Sequence, residues 1–427
     1  MSAVRVLPAR VRGRFHAPPS KSYTHRALVA AYLAKEPCEV LRPLDSDDTR
    51  ATRRGIQALG ATVVATRRGW KVGPEGSRAR PRRRVVFCRA SGTTLRFLSA
   101  VAALDPRPTR FEGAPRLAER PIADLYQSLR HLGAHVASPS RFRGLPCVVR
   151  GPIHSGQIEI RGDTSSQFTS AMLMVLPTVD GPSTLHVLGQ IVSRPYVAAT
   201  LALLQDRGVK VRSRAREFAC PGGQSYQSGP IVVPGDASSA AYVWAAAAAT
   251  QGRVDVEGVP RDLPQADLAI LPILEQMGAR VEATSGGIRE SGRLDRPVSV
   301  DMTDTPDLFP LVAVLAALVA GRRSRLRGAP QLVYKESDRR LESVRLARAV
   351  GGKVSVFPGH VDIVGTDYPR SLDLPALDDH RLVMSAAVAA LAAPGPSRLG
   401  RREAVTKSFP GFWDALAALT EGEGVAS

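Results

Sequence analysis

The sequence predicts an α/β protein of two similar domains, each made of three small repeated α/β units, with a ligand cleft between the domains. Three observations lead there. A short phrase, a helix end followed by Gly and a short apolar strand, recurs at Leu59-Gly60-Ala61-Thr62-Val63, Leu132-Gly133-Ala134-His135-Val136, Arg207-Gly208-Val209-Lys210-Val211, Met277-Gly278-Ala279-Arg280-Val281 and Val350-Gly351-Gly352-Lys353-Val354. The strand, small-residue turn and apolar helix from Ile231 to Tyr242 restate the design of the opening segment up to Ala34. Between these two segments, Pro221 to Pro230 is rich in Gly, Ser and Gln and reads as a hinge.

Each recurring phrase is a helix-to-strand joint. Gly suits the left-handed C-cap that ends a helix, and the Val after it starts a strand. The glycines at 60, 133, 208, 278 and 351 stand 73, 75, 70 and 73 residues apart, and Leu416-Ala417-Ala418-Leu419 before Gly422 supplies a sixth joint 71 residues further on. Six units of about 71 residues fill the 427-residue chain, so repetition is its architecture. Ligand sites favour the cleft between two domains.

With 58 Lys and Arg against 39 Asp and Glu, the formal charge is +19, which draws acidic partners. The arginine runs at Arg78, Arg80, Arg82, Arg83 and Arg84, and at Arg322, Arg323, Arg325 and Arg327, have no aromatics among them to stack bases. They read as solvated loops rather than a nucleic-acid surface. Cys38, Cys88, Cys147 and Cys220 are far apart and lack zinc spacing, so buried thiols in a reducing compartment are expected. The arginine-rich start has no apolar signal core, and the longest apolar run, Leu311 to Ala320, is too short to span a bilayer. The expectation is a cytoplasmic protein that touches neither nucleic acid nor membrane.

The opening segment looks like an anion seat. In Pro18-Pro19-Ser20-Lys21-Ser22-Tyr23-Thr24-His25-Arg26, Ser20 reads as an N-cap. Lys21 and Ser22 then fall in the first helical turn, where free N–H groups and the helix dipole favour negative charge. Ser22 and Arg26, four apart, share a face. Further helix entries follow at Ser91-Gly92-Thr93-Thr94-Leu95-Arg96, Glu119-Arg120-Pro121-Ile122, Asp163-Thr164-Ser165-Ser166-Gln167-Phe168 and Ser193-Arg194-Pro195-Tyr196.

The second half supplies groups that move protons. Asp307 follows Pro306 and precedes an apolar run, so it is expected to cap a partly buried helix, with a raised pKa suited to a base. Lys335 and Arg339 are four apart, as on one helix face, with Glu336 beside them. Asp379-His380-Arg381 opens another apolar helix, and Thr406-Lys407-Ser408-Phe409-Pro410 ends the series. Taken singly, each reads equally as ordinary capping or solvated charge. Their recurrence at matching places favours a shared cleft.

As an ordered set, these motifs, together with Leu44-Asp45-Ser46-Asp47-Asp48-Thr49 and Gly235-Asp236-Ala237-Ser238-Ser239-Ala240, resemble the 5-enolpyruvylshikimate-3-phosphate synthase family over essentially the whole chain. The resemblance implies an inside-out α/β barrel in each of two domains that close on substrate. It assigns residues 1–18 and 231–427 to the domain with the catalytic carboxylates and half of the phosphoenolpyruvate site, and 19–230 to the domain with the shikimate 3-phosphate site. By motif, Lys21, Ser22, Arg26, Ser165, Ser166, Gln167, Ser193, Asp307, Gln331 and Lys335 would hold shikimate 3-phosphate. Lys21, Gly92, Arg120, Gln167, Arg339, His380, Arg381 and Lys407 would enclose phosphoenolpyruvate.

The implied protein is a monomer that acts on these two small anions without metal or cofactor, and the implied reaction is addition of the substrate hydroxyl to the enol carbon, protonation of the methylene, and loss of phosphate. Asp307 would be the base, and Glu336 or Lys21 the proton donor. Two positions depart from the family pattern: Ala90 stands where Asn is usual, and Val333 where Arg is common. The sister transferase acting on UDP-N-acetylglucosamine is the competing enzyme, but its loop Cys is missing between Glu112 and Arg120. A different acceptor, and a nonenzymatic basic binding protein on the same scaffold, complete the alternatives.

Overall fold

The computed structural model describes residues 3–75, 84–139 and 144–426. Arg78, Arg80, Arg82 and Arg83 of the first arginine run lie outside them. The chain forms two compact units: a C-terminal unit of Met1–Pro18 with Gly235–Ser427, and an N-terminal unit of Pro19–Pro234.

Among the described residues the repeat appears as six four-stranded sheets, three in each unit. All follow one pattern, a parallel pair at one edge followed by two antiparallel neighbours. In one sheet Gln157–Arg161 pairs parallel with Ser183–Leu188, which pairs antiparallel with Glu217–Cys220, which pairs antiparallel with Arg212–Arg214. The parallel pairing forces a crossover, and the Ser166–Val175 helix supplies it. The joints behave as their glycines require: Gly60, Gly133, Gly208, Gly278 and Gly351 have φ of +115°, +101°, +72°, +111° and +116°, and Gly422 has +84°.

Two sheets are completed by strands exchanged along the sequence. The strand Arg12–His16 precedes the opening helix Lys21–Leu33, yet it pairs parallel with Arg253–Glu257 of the C-terminal unit. Conversely, Gly229–Val232 precedes the helix Ala237–Ala249 but pairs parallel with Cys38–Leu41 of the N-terminal unit. This corrects the expected boundary. Residues 231–234 belong to the N-terminal unit, because their backbone hydrogen bonds are made there. The hinge expected at Pro221 to Pro230 also moves: Tyr226 Oη donates to Met174 O at 2.7 Å and Gln224 pairs with the Lys210 backbone, so that stretch is part of the N-terminal unit. The chain passes between units at Pro18/Pro19 and Pro234/Gly235.

Helices apolar on every side lie inside each unit, as burial on all faces demands. In the C-terminal unit, Phe309 to Ala317 of one helix and all of His380–Leu391 in another are buried. Each buried Leu, Val or Phe there contributes about 1.5–3 kcal/mol of apolar transfer. Arg84 corrects the reading of its run as solvated loop. It is buried, with Nη1 2.9 Å from Asp105 Oδ2. In the second run, Arg323–Arg327 is a strand, and Arg325 forms an ion pair with Asp362 at 2.7 Å. The four cysteines are free and buried.

Candidate functional site

In the N-terminal unit hydrogen bonds link several of the helix entries to one another. Ser20 occupies the N-cap position of Lys21–Leu33 without capping through its side chain; its Oγ lies 3.3 Å from Ser22 Oγ. Lys21 Nζ reaches Asp48 Oδ2 at 3.2 Å. Arg26 is 2% exposed, and its guanidinium donates to Thr200 Oγ1 at 2.9 Å, Ser22 O at 2.9 Å and Tyr196 O at 2.8 Å. Among the described residues no carboxylate pairs with it, and burial pulls its pKa down to about 10, while Tyr23 and Tyr196 oppose the shift.

Ser91 caps Gly92–Ala102 and Ser165 caps Ser166–Val175. Gln167 joins these two entries: its Oε1 accepts from Arg96 Nη1 at 2.6 Å and its Nε2 donates to Thr93 Oγ1 at 3.1 Å. Gly92 sits in a cradle of guanidinium groups, since an added Cβ would come 2.6 Å from Arg96 Nη1 and 3.1 Å from Arg120 Cζ. Arg120 closes a short helix, Pro115–Glu119, and the next helix starts at Ala123, so Pro121 is not the helix-starting residue expected. Ser193 is buried in the left-handed region at φ +56° and opens Arg194–Asp206. A buried hydroxyl chain ties the opening helix to the Gly92 turn, running His25 Nδ1 to Thr52 Oγ1, Thr52 to Thr94 Oγ1 and Thr94 to Ser91 Oγ, each 2.7 Å. Burial lowers the His25 pKa to about 3, which keeps the ring neutral.

In the C-terminal unit four cations and four carboxylates interlock. Asp307 Oδ1 accepts from Arg339 Nη1 at 2.7 Å and lies 3.6 Å from Lys335 Nζ, while Oδ2 lies 3.2 Å from Arg381 Nη2. Glu336 bridges Arg339 Nη2 at 2.8 Å and Lys407 Nζ at 3.4 Å. Asp379 takes Arg339 Nε at 2.8 Å while also capping His380–Leu391 through the Arg381 N–H at 3.0 Å. Asp267 Oδ2 lies 3.4 Å from Arg381 Nη1.

Two expectations, the Asp307 cap and the shared helix face of Lys335 and Arg339, are corrected here. Asp307 is not a cap; it lies in a 3-10 turn, Pro306–Leu308, ahead of Phe309–Leu318. The rise that burial alone would give is overridden: burial pushes its pKa up, but Lys335, Arg381 and Arg339 outweigh burial and hold it well below the ordinary carboxylate range. Lys335 and Arg339 do not share a helix face either. Lys335 ends the turn Pro330–Tyr334 and Arg339 begins the helix Arg339–Val350, yet both reach Asp307. The ring of His380 is buried with Nδ1 3.4 Å from Asp379 Oδ1, and the buried Gln331 amide donates to Thr303 O at 2.8 Å. Ala90 and Val333, the two departures, are both exposed.

Sequence reasoning passed over Arg96, Asp48, Asp379 and Asp267 as site residues. Arg96 carried a signal, standing one helical turn after Gly92 on the same face. Asp48 and Asp379 lay inside motifs already singled out. Asp267 had none beyond an acidic residue ahead of an apolar helix. Among the described residues no group of three or more His, Cys, Asp or Glu side chains could hold a metal ion, and no helix is long and apolar enough to cross a membrane.

Comparison with known proteins bears on the family and the fold. The family model for EPSP synthase (3-phosphoshikimate 1-carboxyvinyltransferase) matches residues 7–416. The 3-phosphoshikimate 1-carboxyvinyltransferase of Halobacterium salinarum is 39% identical over 422 residues, covering 97% of this chain and 98% of the relative. That of Thermococcus kodakarensis is 40% identical over 416 residues, covering 96% and 98%. In fold, the chain is similar to EPSP synthase from Acinetobacter baumannii, with TM-score 0.81, 24% identity and coverage of 100% and 99%. It is also similar to the enolpyruvyl transferase NikO from Streptomyces tendae, with TM-score 0.78, 18% identity and coverage of 98% and 97%.

Proposed function

This chain belongs to the EPSP synthase (3-phosphoshikimate 1-carboxyvinyltransferase) family, and from that premise we propose that it transfers the carboxyvinyl group of phosphoenolpyruvate to the 5-hydroxyl of shikimate 3-phosphate, releasing phosphate. The observation that carries the chemistry is the convergence of Lys335, Arg339 and Arg381 on Asp307. A base held down by three cations is idle until an anion takes those cations. Phosphoenolpyruvate bound by Arg339, Arg381 and Lys407 would neutralise their field, raise the Asp307 pKa and switch it on beside the attacking hydroxyl.

In this reading Lys21, Ser22, Arg26, Ser165, Ser166, Gln167 and Ser193, with Gln331 and Lys335, hold shikimate 3-phosphate. Lys21, Gly92, Arg120 and Gln167 complete the phosphoenolpyruvate contacts, and His380, whose ring is buried, contributes its main-chain N–H at the helix start. Asp307 takes the hydroxyl proton as the C–O bond forms. Glu336 or Lys21 delivers a proton to the methylene, and loss of a methyl proton with phosphate regenerates the double bond. The cations stabilise the charge of the departing phosphate, the term that dominates such reactions. Action as a cytoplasmic monomer on these two small anions belongs to the same proposal, and the four free buried thiols fit that location.

The test is phosphate release from the purified protein with both substrates, each omitted in turn, and with UDP-N-acetylglucosamine as the competing acceptor. Release that requires phosphoenolpyruvate and shikimate 3-phosphate together is expected. Release with the other acceptor, or none at all, would overturn the assignment.

A further inference from the structure

Neither the Gly235 to Ala240 motif nor Asp267 has a part in the mechanism above, and they meet at Arg381. Asp236 caps the helix Ala237–Ala249, its Oδ2 accepting from Ser239 N at 3.0 Å and Ser239 Oγ at 2.8 Å. The neighbouring Ser238 Oγ donates to Asp267 Oδ2. That same oxygen lies 3.4 Å from Arg381 Nη1, while Arg381 Nη2 lies 3.2 Å from Asp307 Oδ2. The guanidinium is therefore gripped on two sides, by a carboxylate whose side chain is 1% exposed and by one that is 18% exposed.

We propose that Asp267, itself aimed by Ser238, is a positioning residue that fixes the plane of the Arg381 guanidinium so that Nη2 points toward Asp307, where the anionic substrate is taken. The inference rests on the transferase reading, which makes Arg381 a phosphoenolpyruvate ligand. A guanidinium presents its donors as a rigid fork, so holding one nitrogen sets the direction of the other. A long side chain already immobilised has little freedom left to lose when the ligand binds. Burial also pushes the Asp267 carboxyl up to about 6, with Arg381 opposing and Asp307 reinforcing, so the group is charged near neutral pH and can make the pair.

The sign of one measurement separates positioning from simple charge. If Asp267 were only a negative charge near the ligand, removing it would tighten anion binding. Positioning predicts the reverse. In Asp267→Asn the KM for phosphoenolpyruvate should rise about tenfold with kcat within about twofold, the pattern of lost binding rather than lost chemistry. Ser238→Ala leaves every charge in place and should raise KM about threefold. An unchanged or lowered KM in folded Asp267→Asn would overturn the proposal; if that variant does not fold, an unchanged KM in Ser238→Ala does so. Absence of phosphate release by the wild type would instead sink the transferase reading. The positioning claim is then decided by NMR relaxation of the Arg381 side-chain Nε–H, whose order should drop in both variants if Asp267 holds it and stay the same if it does not.

Discussion

Arg26 of the N-terminal unit and Arg339 of the C-terminal unit are equally buried, each 2% exposed, and their surroundings are opposite. Arg26 is held by hydroxyls and main-chain carbonyls, and burial lowers its pKa to about 10. Arg339 is equally desolvated, but Asp379, Glu336 and Asp307 outweigh burial and raise its pKa further. Arg26 is kept by neutral hydrogen bonds; Arg339 is kept by ion pairs. The difference teaches how a protein can present positive charge from inside. Neutral acceptors leave the charge uncompensated and ready for an anion, whereas carboxylates stabilise the cation and titrate against it.

The comparison can be broken most severely at Asp307, the carboxylate shared by three cations. Asp307→Asn should lower kcat by about 10²- to 10⁴-fold, the usual worth of a positioned base, with the far-UV circular dichroism unchanged. Near-wild-type phosphate release would remove Asp307 from the chemistry. Next in size is the contrast between the two arginines in stability. Arg339→Met takes one buried cation away from three carboxylates, Asp307, Glu336 and Asp379, and should cost about 3–5 kcal/mol in urea unfolding, whereas Arg26→Met removes a donor only from neutral acceptors and should cost about 1–3 kcal/mol. Equal losses would erase the distinction drawn above.

Glu290 is the mirror image of Arg26, a carboxyl in the C-terminal unit with no cation paired to it among the described residues. It is fully buried on the strand Gly287–Gly292, neither oxygen has a hydrogen-bond partner among the described residues, and burial pushes its pKa from 4.5 to about 9. Because the folded form holds its proton more tightly, Glu290 favours folding below its unfolded pKa, and that contribution is lost as pH rises through the folded value. Stability should fall between about pH 4.5 and about pH 9 with a slope from this group of at most about 1.4 kcal/mol per pH unit. Glu290→Gln should flatten that slope in denaturation curves taken across the range; an unchanged slope would show that another group causes it.

The smallest expected effect sharpens the anion side of the comparison. Gly92→Ala places a methyl 2.6 Å from Arg96 Nη1 and 3.1 Å from Arg120, so both guanidinium groups must yield. A shift of that kind should raise the KM for phosphoenolpyruvate about tenfold and leave the melting temperature nearly unchanged. A wild-type KM would mean that the Gly92 cradle does not face the ligand.

The sequence by itself determined what is local. Gly at a helix end needs only its own positive φ to be recognised, so six joints could be counted before any fold was known, and they became six sheets of one design. Caps at Ser91, Ser165 and Asp379 were readable for the same reason, each being decided within a few residues. Tertiary structure alone decided the partners. Lys21 finds Asp48 across 27 positions, Arg339 finds Asp307 across 32 and Arg381 finds Asp267 across 114. The exchanged strands Arg12–His16 and Gly229–Val232, and with them the true unit boundary, belong to this class too. Periodicity records which face of a helix or strand is apolar but not which charges meet. The sign of the Asp307 shift therefore became clear only when burial could be weighed against three cations brought from distant turns.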